Sequence, residues 1–338
     1  MAIGVRWVGV AVVLTCIAGV AAAQDTATVA DTTIAHPTGH FHVGLTIHNV
    51  GISLGNAPRV TGIRVNVQDA ALEQVNGVNV TLWKPREPFS GTVNGIQAGI
   101  LPGSETANGI AVGLAGVVTE RRARWVTIGG LGAVSNGRID GVALGGLGLV
   151  ANGTIRGIGV GGLGAVSNQD LDGLVVGGLG TVANRDIRGI AVGGLGTVAN
   201  RDVTGIGVGG LGLVANGTIR GIGLGGMATV ADGSIRGIAM GGLAVVSGRR
   251  LTGLGVGGLA VVASEIRGIA IAGYSVDTHS IAGVSVSPYN RTRGPQRGLA
   301  IGLYNSAYEL HGIQIGLLNR AKNNRAPFKL LPVLNVHL

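Results

Sequence analysis

Four histidines lie close together near the start of the chain: His36, His40, His42 and His48. The spacing of His40 and His42 would place both imidazoles on one face of a β-strand. Two or three neutral imidazoles can bind Zn²⁺ or Cu²⁺, but no neighbouring Asp, Glu or Cys completes the ligand set. The sequence therefore predicts no metal centre, and His36, His40 and His42 are the residues that would form one.

Aspartates recur every sixteen residues in the middle of the chain, at Asp170, Asp186 and Asp202. A ladder of carboxylates is a candidate calcium site, because Ca²⁺ takes oxygen ligands. Arg185 and Arg201 stand directly before two of these aspartates and would oppose a cation. We therefore expect the aspartates to cap turns.

Several glycine-rich phrases, including 157–162 and 205–210, match the Gly-x-Gly-x-x-Gly pattern of dinucleotide-binding sites. Such a site needs a helix after the phrase and an acidic residue about 20 positions later. Here the phrase recurs along the chain and no helical period follows it. Zinc-protease and P-loop motifs are absent from the sequence. We therefore predict no catalytic residue and no cofactor, and a protein that is not an enzyme.

Basic residues gather in four clusters, at 121–124, 249–250, 291–297 and 320–329. In an exported protein, such clusters could bind anionic lipid or polysaccharide. They could also be solvated turn residues that keep an apolar repeat soluble and block pairing at sheet edges. Nucleic acid is not an expected partner, because no aromatic platform accompanies the charge. The candidate partners are therefore envelope components or another protein.

All these residues are positioned by a repeat with a period of sixteen. The phrase Gly-Φ-x-Φ-Gly-Gly-Leu, where Φ is apolar, starts at Gly141, Gly157, Gly173, Gly189, Gly205, Gly221, Gly237 and Gly253. The spacing also holds at Gly109 and at Trp125, where tryptophan replaces the first glycine. Looser copies begin at Gly44, Gly62, Gly77 and Gly95, and again at Gly268, Gly283, Gly298 and Gly312. The predicted Gly-rich repeat domain is therefore 44–320, with its regular part at 109–267.

Within one unit, apolar and turn-forming residues occupy fixed places. Large apolar residues recur at the second, fourth, seventh, tenth and fifteenth positions, Gly-Gly fills the fifth and sixth, and Asn is frequent at the twelfth. Alternating apolar residues bounded by Gly and Asn predict two short strands and two turns per unit.

The composition excludes several other classes of protein. The chain has 65 Gly in 338 residues, with 3% aromatic residues, 12% charged residues and a net charge of +9. An ordinary enzyme domain carries roughly twice that charged fraction. The glycines do not recur every third residue, which excludes collagen. An apolar content of 46% and a mean hydropathy of +0.47 exclude a disordered chain.

Two all-β architectures satisfy the pattern. In a β-solenoid each unit is one coil, equivalent residues stack about 4.8 Å apart, and the Ile, Val and Leu columns form a continuous core. In a closed antiparallel meander of short hairpins, forming a shallow ring or barrel, the glycine and asparagine turns connect neighbouring strands. The constant period favours the solenoid, whereas like charges in register, such as Asp186 and Asp202, count against it. The short-repeat β-solenoid is the prediction, with the meander as its alternative.

The first residues have the features of a secretory signal peptide. Arg6 precedes an apolar stretch that ends at Ala21, Ala22 and Ala23, which predicts a signal peptide at 1–23. An N-terminal segment at 24–43 and a C-terminal capping segment at 321–338 flank the repeat domain. The predicted location is extracytoplasmic, in the periplasm, the outer membrane or at the cell surface.

The C-terminal units at 298–305 and 312–319 follow the pattern Gly-Φ-x-Φ-Gly-Φ-x-Asn. They resemble the surface repeats of exported bacterial proteins, and the central units are similar to a longer version of that repeat. The resemblance implies an exported, envelope-associated protein and carries over no catalytic residues.

Three functional hypotheses follow. The first is a non-enzymatic envelope or surface repeat protein that serves as a structural scaffold or binding surface. The second is an outer-membrane-associated β-barrel that passes or shelters an apolar ligand. The third is a hydrolase with its site in the irregular region 62–108.

Overall fold

The computed structural model describes residues 42–87 and 89–337, and this part of the chain is built from β-strands and turns without a helix. The all-β prediction is therefore confirmed. The predicted signal peptide and most of the predicted N-terminal segment lie outside the described residues. The strands are β1 His42–Ile47, β2 Val50–Gly55, β3 Arg59–Gln68, β4 Gln74–Trp83, β5 Thr92–Gly99, β6 Gly103–Gly113, β7 Gly116–Gly129, β8 Gly132–Ser135, β9 Arg138–Gly145, β10 Gly148–Ala151, β11 Ile155–Gly161, β12 Gly164–Ser167, β13 Leu171–Gly177, β14 Gly180–Ala183, β15 Ile187–Gly193, β16 Gly196–Ala199, β17 Val203–Gly209, β18 Gly212–Ala215, β19 Ile219–Gly225, β20 Ala228–Ala231, β21 Ile235–Gly241, β22 Ala244–Gly257, β23 Ala260–Ala272, β24 Ser275–Val286, β25 Tyr289–Ile301, β26 Tyr304–Ala321 and β27 Leu330–His337.

Each sixteen-residue unit forms one coil of a β-solenoid. In a central coil, the long strand β15 is followed by a two-residue turn, the short strand β16 and a second turn. β15 pairs in parallel with β13 and β17, while β16 pairs in parallel with β14 and β18, in each case sixteen residues away. Long strands therefore stack on long strands and short strands on short strands. The predicted solenoid is confirmed.

The alternative prediction, a closed antiparallel meander, is wrong. The turn that was expected to form a hairpin makes its hydrogen bonds to the preceding coil instead. The N–H of Leu195 donates to the carbonyl oxygen of Leu179 at 2.6 Å, and the N–H of Gly194 donates to Gly177 at 3.1 Å. Antiparallel pairing occurs in the described chain only at the two ends, between β1 and β2 and between β26 and β27.

Glycine permits the close stacking of coils at two positions of the unit. At the first position, Gly189 has a φ of +114°, a region that side chains rarely adopt. At the sixth position, a Cβ on Gly194 would lie much closer than 3.0 Å to the carbonyl oxygen of Gly178 in the coil before it. Real Cβ atoms essentially never approach so closely. A side chain at position 189 would therefore strain the backbone, and one at position 194 would require the two coils to shift.

The core differs from the prediction, which placed all the large apolar columns inside. Of these columns, only the fifteenth position is fully buried: Ile187 is 1% exposed, whereas Ile190 is 39% exposed and Leu195 is 44% exposed. The interior is lined instead by the third, ninth and eleventh positions, as with the fully buried Ala191 and Thr197. The large side chains at the second, fourth, seventh and tenth positions face outward.

The narrowness of the coil explains this inversion. A Cβ on Gly193 would collide with the carbonyl oxygen of Gly196, across the turn in the same coil, so the two strands lie close together there. The interior therefore admits small residues, and it admits a larger residue only where the residue facing it across the coil is small. A Cβ on Gly207 would lie 2.8 Å from Leu213 Cδ1, so the missing side chain of Gly207 makes room for Leu213.

An antiparallel strand lies at each end of the described solenoid. The copy predicted at Gly44 is not part of the stack, because Gly44 lies in β1 and pairs antiparallel with Ser53. The stack of first-position residues runs from Gly51, which pairs with Gly62, to Gly312. At about 4.8 Å per coil this stack is roughly 80 Å long.

The N-terminal coils carry a polar interior. Arg64 is fully buried and forms an ion pair with Asp69. Its Nη1 also donates to Asn79 Oδ1 at 3.0 Å, and its Nε donates to the carbonyl oxygen of Ala57 at 3.0 Å. Asn79 in turn donates to Asp69 Oδ2 at 3.1 Å. This network lies in the region where the hydrolase site was hypothesised, and its charged groups are enclosed within the coil.

Candidate functional surface

One edge of the solenoid is polar, and we call it the polar edge. It consists of positions twelve to sixteen in the units between Gly109 and Gly268. Asparagines form a ladder along it: Asn168 Nδ2 donates to Asn152 Oδ1 at 2.8 Å, and Asn184 Nδ2 donates to Asn168 Oδ1 at 2.9 Å. Each amide is thus an acceptor for the next coil and a donor to the previous one.

The aspartates of the polar edge also connect neighbouring coils. Asp170 Oδ1 accepts the backbone N–H of Asp186 at 3.1 Å, and Asp186 Oδ1 accepts that of Asp202 at 3.1 Å. The carboxylates therefore satisfy turn donors, as capping residues do, but the donors belong to the next coil. These bonds give each aspartate a structural role in the stack.

Arg188 offsets the repulsion between Asp170 and Asp186, which are stacked in the column of aspartates that counted against a solenoid. Its guanidinium lies 3.6 Å from Asp170, 3.3 Å from Asp172 and 2.6 Å from Asp186. Partial burial would lower the pKa of Arg188, but the charges of the three aspartates outweigh it and raise the pKa above its ordinary value. The repulsion between stacked carboxylates is therefore offset by a cation that stays protonated.

The ion pairs of Glu265 should make the stability of the fold depend on pH. Partial burial raises the pKa of Glu265, but hydrogen bonds from Arg267 and Arg250 and their charges prevail, so its pKa is below the ordinary value. A lowered pKa contributes stability above the unfolded-state pKa, and this contribution is lost as the pH falls through the folded-state value. We expect Glu265→Gln to lower the thermal midpoint at pH 7, and the difference from wild type to shrink below about pH 4.

The control for this prediction is Glu309→Gln, since Glu309 has no ion-pair partner among the residues with described positions. Thermal unfolding followed by circular dichroism between pH 7 and pH 3 compares the three proteins. A constant difference between wild type and Glu265→Gln across this range would contradict the prediction.

The outer surface away from the polar edge is apolar, and we call it the apolar belt. It comprises the outward side chains at the second, fourth, seventh and tenth positions of the units that start at 109 to 253. The seventh position is Ala115 in the first of these units and then forms a column of half-exposed leucines, interrupted by Met227. The tenth position is valine in ten successive coils: Val118, Val134, Val150, Val166, Val182, Val198, Val214, Val230, Val246 and Val262.

Charge and apolar surface are completely separated in this region. Residues 109–267 contain 13 arginines and 8 acidic residues, and all of them lie on the polar edge. The apolar belt is ten coils long, at about 4.8 Å per coil, and eight residue steps wide, from the second to the tenth position, at about 3.3 Å per step. It therefore covers roughly 1,200 Å². A soluble monomer rarely exposes an apolar patch above about 300–600 Å². The apolar belt is therefore a candidate binding surface.

The turn at the tip of the apolar belt leaves none of its backbone donors free. In one coil, the N–H of Gly162 donates to Gly145 at 3.0 Å, that of Leu163 to Leu147 at 2.6 Å and that of Gly164 to Leu147 at 3.2 Å. The pattern recurs sixteen residues later at the following coils. This turn can therefore be transferred from water to an apolar environment without burying an unpaired N–H group.

Trp125 departs from the repeat at the border between the apolar belt and the polar edge. It stands in the column of first-position glycines, between Gly109 and Gly141, and has a φ of +76°. Such a backbone conformation is strained for a bulky residue. Trp125 is nevertheless 67% exposed, so burial in this chain does not compensate the strain. Arg124 precedes it on the polar edge, and Val126 follows it in the apolar belt.

Part of the basic charge on the polar edge is not neutralised. In cluster 121–124, Arg121 pairs with Glu105, and Arg122 pairs with Asp140 at 3.4 Å. Five arginines between 109 and 267 have no carboxylate within 4.0 Å in the described part of the chain: Arg124, Arg138, Arg201, Arg236 and Arg249.

The cluster at 320–329 surrounds a groove of about 790 Å³ at the C-terminal end. Lys322 Nζ lies 4.8 Å from the centroid of the Tyr308 ring, which is a cation–π contact. The groove is lined by Tyr304, Tyr308, Glu309, Leu318, Arg320, Lys322, Asn323, Lys329 and Leu330. It brings basic and apolar side chains together, unlike the central coils, where charge and apolar surface are separated.

The histidines predicted as candidate metal ligands fall largely outside the described residues. This holds for His36 and His40, whereas His42 lies in β1. Within 42–87 and 89–337, no group of three or more His, Cys, Asp and Glu side chains is arranged to hold a metal ion. The expectation that these histidines form no metal centre therefore stays a prediction.

Comparison with models of protein families, with curated proteins and with solved structures finds no match. In the described part of the chain, no helix has the length and hydropathy needed to cross a membrane. The surface must accordingly be interpreted from its own chemistry.

Proposed function

We propose that the protein is a non-enzymatic, exported scaffold of the bacterial cell envelope, and that the apolar belt is its binding surface. The observation that carries this proposal is the separation of charge from apolar surface over ten coils. A folded chain gains nothing from exposing leucine and valine columns to water, whereas covering them releases water from a large apolar area.

The repetition of the surface supports an extended partner. Each coil presents the same four outward apolar positions, and parallel pairing keeps them in register along the stack. An array of this kind offers many equivalent contacts and suits a partner that is itself extended. Envelope components or another protein meet this description, and an extracytoplasmic location agrees with the basic, apolar surface.

Two charged substitutions in the apolar belt test the proposal. Leu179 and Leu211 are half-exposed and lie two coils apart, so Leu179→Lys with Leu211→Lys should leave the fold intact. We expect wild type to sediment with the envelope fraction of the native host and the double variant to shift to the soluble fraction. The matched control, Asn168→Lys with Asn200→Lys, places the same charges on the polar edge and should sediment like wild type.

Circular dichroism and thermal unfolding verify that both variants are folded. Wild type found wholly in the soluble fraction would contradict the proposal. Equal sedimentation of the folded belt variant and wild type would contradict it as well, because the surface that binds would then lie elsewhere.

A further inference from the structure

We propose that the apolar belt binds one leaflet of an anionic lipid bilayer, with the solenoid axis parallel to the membrane plane. The leucine column would enter the hydrocarbon, and the polar edge would stay in water. This inference rests on the proposed function of the apolar belt as a binding surface, and it names the partner.

The dimensions of a coil fit one leaflet. Five residues separate the first-position glycine from the turn leucine, as in 190–194, where 190–193 lie in the strand and Gly194 lies in the turn. At about 3.3 Å per residue they span roughly 16 Å. Half of a hydrocarbon core of about 30 Å is about 15 Å. A solenoid with its axis in the membrane plane therefore reaches the leaflet's depth with its apolar part only.

The backbone also suits immersion. Lipid offers no hydrogen-bond partners, so every N–H group that enters it needs a partner in the protein. The donors of Gly162, Leu163 and Gly164 are all paired with the preceding coil. Threonine hydroxyls inside the central coils are paired as well: Thr181, Thr197 and Thr229 each donate to a backbone carbonyl oxygen.

Trp125 occupies the level of the headgroups in this orientation. Tryptophan is favoured where one side of the ring is apolar and the other is wet, as at a membrane interface. Trp125 stands between Arg124 and Val126, at the border of the two surfaces, with bare glycine on both sides in its own column. Contact with the interface gives its strained, exposed position a function.

Charge complementarity points to anionic lipid. Residues 109–267 carry five more arginines than acidic residues, and five arginines lack an ion-pair partner in the described chain. Arg124 and Arg236 each directly precede the first position of a unit, so they flank the apolar belt at headgroup level. Guanidinium groups pair well with phosphate oxygens.

Vesicle flotation tests the assignment on the full chain. One set of vesicles contains phosphatidylcholine alone. The other contains phosphatidylcholine with about 30% phosphatidylglycerol, an anionic fraction comparable to that of natural membrane surfaces. We expect wild type to bind both and to prefer the anionic vesicles, with the preference reduced by salt. Leu179→Lys with Leu211→Lys should lose at least about tenfold in partition to both, while Asn168→Lys with Asn200→Lys should retain binding.

Arginine removal separates charge from apolar contact. Arg124→Ser with Arg236→Ser should weaken binding to anionic vesicles by about fivefold for each arginine and leave binding to neutral vesicles unchanged. Equal binding of wild type to both kinds of vesicle would overturn the assignment of anionic lipid.

Trp125→Gly separates a role in membrane binding from a role in stability, because the two roles predict different changes in vesicle partition and thermal midpoint. Glycine removes the strain, so the thermal midpoint should rise, yet partition to anionic vesicles should fall. Subtracting the fluorescence spectrum of Trp125→Phe from that of wild type isolates the emission of Trp125. Its maximum should shift to shorter wavelength when vesicles are added. A Trp125→Gly variant that binds vesicles as well as wild type would contradict the position of Trp125 at the interface.

The outcomes distinguish this inference from the proposed function. If folded wild type binds neither vesicle but forms a dimer that Leu179→Lys with Leu211→Lys dissociates, the lipid assignment is overturned and the apolar belt remains a binding surface for a second copy. If wild type binds no vesicle and the belt variant also sediments unchanged from the host envelope, both fail.

Discussion

Gly194→Ala is expected to lower the free energy of unfolding by about 3 kcal/mol or more, which would be among the largest effects of a single methyl group in this chain. The added Cβ would collide with the carbonyl oxygen of Gly178, a backbone atom held by the stack. Relief requires the two coils to separate, and this breaks the short hydrogen bond from Leu195 to Leu179 as well. Urea unfolding followed by circular dichroism measures the loss.

The matched control is Gly196→Ala, two residues later in the same coil. A Cβ at Gly196 meets nothing closer than the carbonyl oxygen of Gly212 at 3.6 Å, and this glycine has no positive φ. We expect a change within about 0.5 kcal/mol. Similar losses in the two variants would show that stacking distance is not what requires glycine at position 194.

Because coils contact mainly their neighbours, a defect in one coil should separate the stack into two parts that unfold independently. Stability in repeat proteins is approximately a sum over units and their interfaces. Gly194→Ala weakens an interface near the middle of the array, so unfolding should broaden or separate into two transitions. A smaller defect at an end would shorten the cooperative unit without dividing it.

Arg64→Leu is expected to destabilise the N-terminal coils by about 3–5 kcal/mol, because it leaves the carboxylate of Asp69 buried without its cation. Asn79 would also lose a donor to its side-chain oxygen. Hydrogen exchange should increase in strands β2 to β5, while the central coils keep their protection. The measurement is amide exchange resolved by peptide.

Arg59→Leu is the control for that prediction, since Arg59 lies in the same strand and pairs with Glu73 at the surface. An exposed ion pair contributes about 0–1 kcal/mol, so exchange should barely change. Arg64→Leu with Asp69→Asn removes both buried charges and should recover part of the loss. Equal effects of the Arg59 and Arg64 variants would show that the buried network does not stabilise these coils.

The constant period of the central units favoured the solenoid over the meander, because coils of equal length keep equivalent residues in columns. It also predicted the turns, since Gly194 and the asparagine ladder lie where the chain reverses. The direction of the side chains could not be predicted in the same way. Ile190 and Ala191 lie on opposite faces of one strand, and both are apolar, so alternation alone does not tell which faces inward.

The inversion of the core is the reason that the sequence did not predict the apolar belt. Placing Ile190 and Leu195 inside left only glycine and alanine outside, which suggested a surface without particular chemistry. Volume could have corrected this interpretation: a two-residue turn holds the strands too close for large side chains on both. Trp125 offered a second signal, since it is the exception in a column that otherwise requires glycine.

The reversed strands at the two ends bear on polymerisation. A parallel ladder with open ends could add further copies end to end without limit, as fibrils do. In the described chain, β1 and β27 each run against the strand they cover, so a copy arriving in the parallel sense finds no matching register. Pro332 also removes a backbone donor from β27. The reversed strands therefore disfavour parallel end-to-end addition of a second copy to the described stack.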